Sequence, residues 1–369
     1  MNVPYNYLPM QFENVDEIFE DWRELIKSTD FTLGHYVQKF EDQFSNYVGA
    51  KYCIAVNNGT DALILSLKAC GIKSGDEVIT VCNSFYASTG AIVAVGATPV
   101  MVDCDSRYQI NVDEIESAIS PRTKAILPVH WAGASPDMKR ILQIATERKI
   151  HVVEDACMGI GGSIDGKHPG TFGTCGAFSL HPLKTLNVMG DGGMVVTDND
   201  DLAKWMRIYR NHGMIDRDHN VMWGVNMRIQ PLQAIVAMRG MAHLSEIIEK
   251  RNANALNLDK MLGQEKLRPF VSIPERVKGN IETFSLYMGL FEQRDKLMQY
   301  LQTAGIEVKI HYPVPLHLQK ASQALGYQRG MFKCAEQQAN KLMTIPVHQY
   351  ILEEQLIYTV DKIKAFYNV

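Results

Sequence analysis

From residue 50 to about 200 the chain alternates two kinds of apolar pattern. Short runs rich in β-branched residues (Cys53–Val56, Glu77–Val81, Thr98–Val102, Ala125–Val129, His151–Val153) have the length of strands. Between them, Thr60–Cys70, Ser88–Val95, Val112–Ile119 and Asp137–Arg148 place apolar residues at helical spacing. The strands are apolar throughout instead of alternating, so both faces of their sheet should be covered. Strand then helix, repeated with short loops, makes that sheet parallel. Further on, Asp200–Asn211 and Pro231–Ala255 read as helices, the second long enough to cross between domains. After Arg276 the pattern restarts with Thr283–Phe291 as a strand, Asp295–Ala304 as a helix and Val308–Tyr312 as a strand. The expected organisation is an α/β large domain over residues 1–245, carrying the N-terminal segment, and a smaller α+β domain over 246–369.

Composition narrows the function without naming it. With 369 residues, 46% hydrophobic and 21% charged, the chain is long enough for two domains and has an ordinary globular balance. A net charge of −4 gives no cationic surface for nucleic acid or anionic lipid. The seven cysteines are scattered, none in a CxxC pair, and read as small apolar residues of a reducing compartment, not as disulfides or zinc ligands. The opening MNVPYNYLP has neither the basic nor the apolar region of a secretory leader. The apolar run from Ala91 to Val102 holds Gly96 and Pro99 and is too short to span a bilayer. A cytoplasmic protein without membrane or nucleic-acid partners is the expectation.

Four local features carry candidate chemistry. Asn57-Asn-Gly-Thr-Asp61 joins a strand to a helix; Gly59 permits close backbone approach, and the free N–H groups of the helix start suit a phosphate. The plainer reading is a helix cap made by Thr60 or Asp61. Lys149–Asp155 is a buried strand ending in two carboxylates, and ligands of open α/β sheets sit at such strand ends. A carboxylate buried there needs a cationic partner, such as a pyridinium nitrogen. Phe178-Ser-Leu-His-Pro-Leu-Lys184, closed by Gly190-Asp-Gly-Gly193, sets one lysine in an apolar, irregular stretch. Burial lowers a lysine pKa, and the neutral amine is the form that makes a Schiff base; the alternative is a lysine snorkelling from a strand edge. The fourth is the loop Arg210–Gly213 with Gly224–Ala234, whose Asn226 precedes a helix start and can reach a ligand. Each alone is weak. Together with Phe85 or Tyr86, either an aromatic able to stack on a ring, they are the parts of a pyridoxal 5'-phosphate (PLP) site.

Over nearly its whole length the chain resembles the DegT/StrS-type aminotransferases that act on nucleotide-linked keto-sugars, PLP enzymes of fold type I. The matching stretches include KFEDQFSNYV at Lys39–Val48, CIAVNNGTDALILSL at Cys53–Leu67, GDEVIT at Gly75–Thr80, SPRTKAILPVH at Ser120–His130 and SLHPLKTLNVMGDGGMVVT at Ser179–Thr197. The resemblance implies that Lys184 holds the cofactor and that Asp155 pairs with its ring nitrogen. It places Phe85 on the ring and Asn58, Gly59, Thr60 and Ser179 around the phosphate. Asn226 would reach in from a second subunit of a homodimer with shared active sites. The implied substrates are a nucleotide-linked keto-sugar and an amino-acid donor, glutamate, in amino-sugar biosynthesis. His181, His311, Tyr312 and Trp131 are candidate substrate contacts, with a structural histidine as the alternative for His311. Three positions depart from the pattern: Met158 stands where Gln or His is usual, Trp131 where an aliphatic residue is usual, and Asn58 where Ser is common. Met158 cannot donate a hydrogen bond. A cyclitol ketone as substrate, or a non-catalytic regulatory homologue, are the alternative readings.

Overall fold

The computed structural model describes residues 1–369. Seven strands form the central sheet: β1 (Tyr52–Val56), β2 (Glu77–Val81), β3 (Thr98–Val102), β4 (Thr123–Leu127), β5 (His151–Asp155), β7 (Cys175–Ser179) and β8 (Gly193–Thr197), with β6 (Ser163–Ile164) a short strand outside it. Their order is β1-β8-β7-β5-β4-β2-β3. All neighbours are parallel except that β8 runs antiparallel to both β1 and β7. The sheet is therefore mostly parallel, and β2, β7 and β8 are buried along their whole length, as strands covered on both faces are.

That topology decides where a site can form. Strand β1 and β7 both oppose β8, so they point the same way as β2, β4 and β5. Residues at or just beyond the carboxyl ends of β1, β2, β4, β5 and β7 (Asn58, Phe85, Trp131, Asp155 and Ser179) collect along one edge, the customary ligand edge of an open α/β sheet. Phe40, Phe44 and Phe178 close one face, the last two edge to face at 5.1 Å, a pairing worth about 1 kcal/mol beyond its buried area.

The C-terminal part builds its own core around Leu258, Tyr287, Phe291, Leu297, Met343 and Leu356. A small antiparallel sheet supports it, formed by β9 (Val271–Ser272), β11 (Tyr287–Phe291) and β12 (Leu342–Ile345); β10 (Asn280–Ile281) pairs instead with β6. Val3, from the chain's start, belongs to this same core and exchanges backbone bonds with Gly305 and Glu307. No helix is long and apolar enough to cross a membrane.

Three expected elements differ. The strand expected over Thr283–Phe291 begins only at Tyr287. The single helix expected over Pro231–Ala255 is two, Pro231–Met241 and Leu244–Leu262. Gly240 weakens the helix there, and its bare Cα faces Leu186, whose methyl would lie 2.9 Å from any Cβ. The strand expected over Val308–Tyr312 is irregular backbone with one bridge, Lys309 to Thr344, because Pro313 and Pro315 prevent a continuing ladder.

Candidate active site

The ligand edge of the sheet opens into a cavity of about 600 Å³ between the sheet and the C-terminal part. Of the thirteen residues singled out in the sequence, all but Asn226 line it. Asn226 is exposed and lies beside Asn211, to which it is bridged, outside the cavity of its own chain.

Asp155 ends β5 and is buried, so its carboxylate carries a desolvation cost that must be met locally. Oδ2 accepts from Ser88 Oγ at 2.7 Å, and Oδ1 from the Cys157 amide at 3.2 Å. Ser88 is itself 2.7 Å from Ser84, which also faces the cavity. No basic side chain bonds to Asp155, so its negative charge is met by neutral donors only. Glu154, one residue earlier, points to the other side of β5. It takes amide protons from Gly170, Phe172 and Gly173 and sits 2.8 Å from His130 Nε2. The paired carboxylates thus divide by strand alternation: Glu154 holds a loop, and Asp155 faces the cavity.

Lys184 is half-buried, in the irregular segment that follows β7. Its amide donates to the His181 carbonyl at 2.9 Å, and its own carbonyl accepts from Tyr7 Oη at 2.9 Å and Asn187 Nδ2 at 3.0 Å. The backbone bearing the amine is pinned from three sides. Desolvation lowers the Lys184 pKa, with Cys157 and Asp155 pulling the other way. The same burial pushes the Cys157 thiol well up, so it stays protonated.

On the opposite wall, Asn58 Oδ1 accepts from Asp61 N at 2.8 Å and caps the helix Gly59–Ala69. The cap is therefore Asn58, not Thr60 or Asp61, and this explains how Asn serves where Ser is common. Thr60 is exposed at this helix start. A Cβ on Gly59 would lie 2.7 Å from Ser179 Cβ, so the turn and the end of β7 close on one another only because residue 59 has no side chain.

The third wall is aromatic. Tyr312 packs against Phe85 (5.9 Å), Tyr86 (5.6 Å) and Trp131 (5.7 Å). Burial raises the Tyr312 hydroxyl pKa, so it stays protonated. His311 sits 3.0 Å from Thr344 Oγ1; desolvation and then Lys184 bring its pKa down to about 4, so it is neutral at pH 7. His181 is exposed, and burial of its ring with Lys184 nearby lowers its pKa too. Met158 turns its backbone carbonyl to Thr283 Oγ1 (2.6 Å) and Ser285 Oγ (3.0 Å), which ties this loop to the C-terminal part.

Sequence reasoning passed over Tyr5, Tyr7, Arg251, Ser285 and His348, which also line the cavity. They come from the N-terminal segment and the C-terminal part, where no motif marks them. Arg210, grouped with Asn226 in the sequence, is instead buried against Glu41 and the Ala55 carbonyl and is structural.

Similarity to known proteins agrees with this geometry. The model of the DegT/DnrJ/EryC1/StrS aminotransferase family matches residues 13–364. A pleiotropic regulatory protein of Geobacillus stearothermophilus is 37% identical over 100% of this chain and 99% of its own. The UDP-2-acetamido-2-deoxy-3-oxo-D-glucuronate aminotransferase of Pseudomonas aeruginosa is 34% identical over 91% and 92%. The crystal structure of Streptomyces venezuelae DesV in complex with a ketimine intermediate superposes with a TM-score of 0.95 at 32% identity, covering 99% of this chain and 98% of that one.

Proposed function

The chain belongs to the DegT/DnrJ/EryC1/StrS aminotransferase family, and from that premise we propose that it carries an amino group from glutamate to a nucleotide-linked keto-sugar. It is a PLP-dependent aminotransferase. The cavity fits that cofactor on its own evidence. Asp155 is a buried carboxylate with no cationic partner bonded to it, Lys184 is an amine held toward its neutral form, and the helix start at Gly59 and Thr60 lines the same cavity beside Ser179. When bound there, PLP supplies an aldehyde that condenses with amines and a ring that accepts the electron pair of a broken C–H bond.

The residues then take these roles. Asp155 would pair with the pyridine nitrogen, and Ser88 and the Cys157 amide keep its carboxylate from turning away. Asn58, Gly59, Thr60 and Ser179 would hold the phosphate, and Phe85 would stack on the ring. Lys184 would hold the cofactor through its Nζ, and its amine, when free, would be the base that moves the proton of the donor's α-carbon. Its lowered pKa leaves more of it unprotonated for that step. Trp131, His181, His311 and Tyr312 form the rim on which the sugar is placed, with Tyr312 as a hydrogen-bond donor and His311 neutral. Working in the cytoplasm, the enzyme is a homodimer in which Asn226 completes the partner's phosphate site.

The buried, unpaired Asp155 facing the same cavity as a pKa-lowered Lys184 carries this reading. Its test is spectroscopic. Glutamate added to the PLP-loaded protein should convert the absorbance of the lysine-bound cofactor to that of pyridoxamine phosphate, and a nucleotide-linked keto-sugar should reverse it. Failure of every amino acid to produce the first change would favour the regulatory role that the Geobacillus relative's name suggests.

A further inference from the structure

Three arginines are buried in the molecule. Arg210 is paired with Glu41 and Arg294 with Asp295, as burial of a guanidinium demands. Arg251 is the exception. It is 1% exposed, yet its partners are neutral: Nε is 3.0 Å from Gln349 Oε1 and Nη1 is 3.0 Å from the Phe284 carbonyl. Its Nη2 has no partner at all. Gln349 Nε2 and His348 Nδ1, on adjacent residues, are also buried and unpartnered. A fixed cation with a free donor, beside a second free donor, is costly unless something acidic joins it.

What can join it is set by place. Arg251 lines the same cavity as Lys184. Its guanidinium carbon is 5.1 Å from the Tyr7 ring centroid, and the Tyr7 hydroxyl bonds to the Lys184 carbonyl at 2.9 Å. Tyr7 thus connects the guanidinium to the backbone that carries the amine. The other lysine or arginine in the cavity is Lys184 itself, which burial drives toward neutrality.

We infer that Arg251, with Gln349 beside it, is the carboxylate anchor of the active site and that it binds the carboxylate of the amino donor. A planar guanidinium with a free N–H edge matches a carboxylate. The Tyr7 ring covers one face of the guanidinium. Binding energy drawn from this remote group orients the α-carbon toward Lys184. The inference rests on the aminotransferase reading for the identity of the ligand. The same chemistry would also hold the carboxylate of a keto-uronate, the acidic sugar class named for the Pseudomonas relative.

Half-reactions separate these possibilities. In Arg251→Gln, KM for glutamate should rise roughly 30-fold or more, the usual consequence of removing one partner of a buried charged pair, with kcat changed only a few-fold. Arg251→Lys should recover part of that loss, since it keeps charge without the fork. Gln349→Glu places an internal carboxylate against Nε; it should raise KM for glutamate in the same direction while the melting temperature holds or rises. A purely structural Arg251 would give the stability gain of Gln349→Glu with no change in KM, and that result overturns the inference. Calorimetric binding of glutarate, which has no amine to react, should weaken in parallel in both variants. Undiminished glutarate binding likewise overturns it. Loss confined to glutamate assigns the anchor to the donor. Loss confined to a keto-uronate in the second half-reaction overturns the donor assignment. Should the wild type fail to react with any amino acid, the transamination reading falls, and glutarate binding still decides Arg251.

Discussion

Lys184 shows how a residue can serve function at a cost to the fold. Its pKa is lowered from 10.5 by desolvation, so below its folded pKa the protein pays to bury a charge that the unfolded chain keeps in water. The unfolded state binds more protons over that interval, and stability therefore rises with pH between the folded value and 10.5. Lys184→Met removes the cost. Without cofactor, the variant should melt above the cofactor-free wild type at pH 7, by about 1 kcal/mol of stability, and the gap should close as pH approaches 10.5. It should also show no borohydride-trapped cofactor and no turnover. A variant less stable than wild type at pH 7 would mean that the lysine's methylenes matter more than its charge. Lys184 and Asp155 stand out in the sequence because each is an ionisable group in an apolar setting. Arg251 gives no such sign, because in a charged helical stretch nothing distinguishes a buried arginine from a solvated one.

At the scale of elements, the site depends on how strand ends meet helix starts. Strands β1 to β5 were legible from apolar runs to within a residue or two, since both faces of each are buried and the pattern is unambiguous. Strands β7 and β8 were not recognised as such, though they carry Ser179 and frame Lys184. Their glycines, Gly176 and Gly193, dilute the apolar signal. Each glycine is there because another backbone passes within contact distance of its Cα. The Pro231–Ala255 break was hidden for a similar reason, as one glycine inside a good helical period does not announce a bend. Gly59 tests the principle. Gly59→Ala should leave helix content unchanged and the stability of the cofactor-free protein within about 1–3 kcal/mol of wild type, while the added methyl pushes the turn away from Ser179. The expected result is PLP affinity weakened by roughly tenfold or more in an equilibrium titration, with spare inorganic phosphate competing less well than in wild type. Unchanged affinity would show that the phosphate does not sit at this turn.

At the scale of the whole molecule, one residue remains apart from the site assembled around it. Asn226 is exposed, outside its own chain's cavity, in a segment that also exposes Ile215, Val221 and Trp223, the last at 93%. Isolated apolar side chains on a surface need no explanation, but three within nine residues, one of them a fully exposed tryptophan, suit burial against another surface. An isologous dimer would bury that loop and bring Asn226 to a second cavity, so that each site draws Lys184 from one chain and Asn226 from the other. Complementation tests this directly. Lys184→Ala is inactive alone, and Asn226→Asp should be nearly so, because it sets a negative charge against the phosphate. In mixed dimers one site collects both changes and the other collects neither. If subunits exchange freely, half the dimers are mixed and half of their sites are intact, so the mixture should regain about a quarter of wild-type activity. A mixture no more active than the mean of its two parents would place Asn226 in the site of its own chain, or in none.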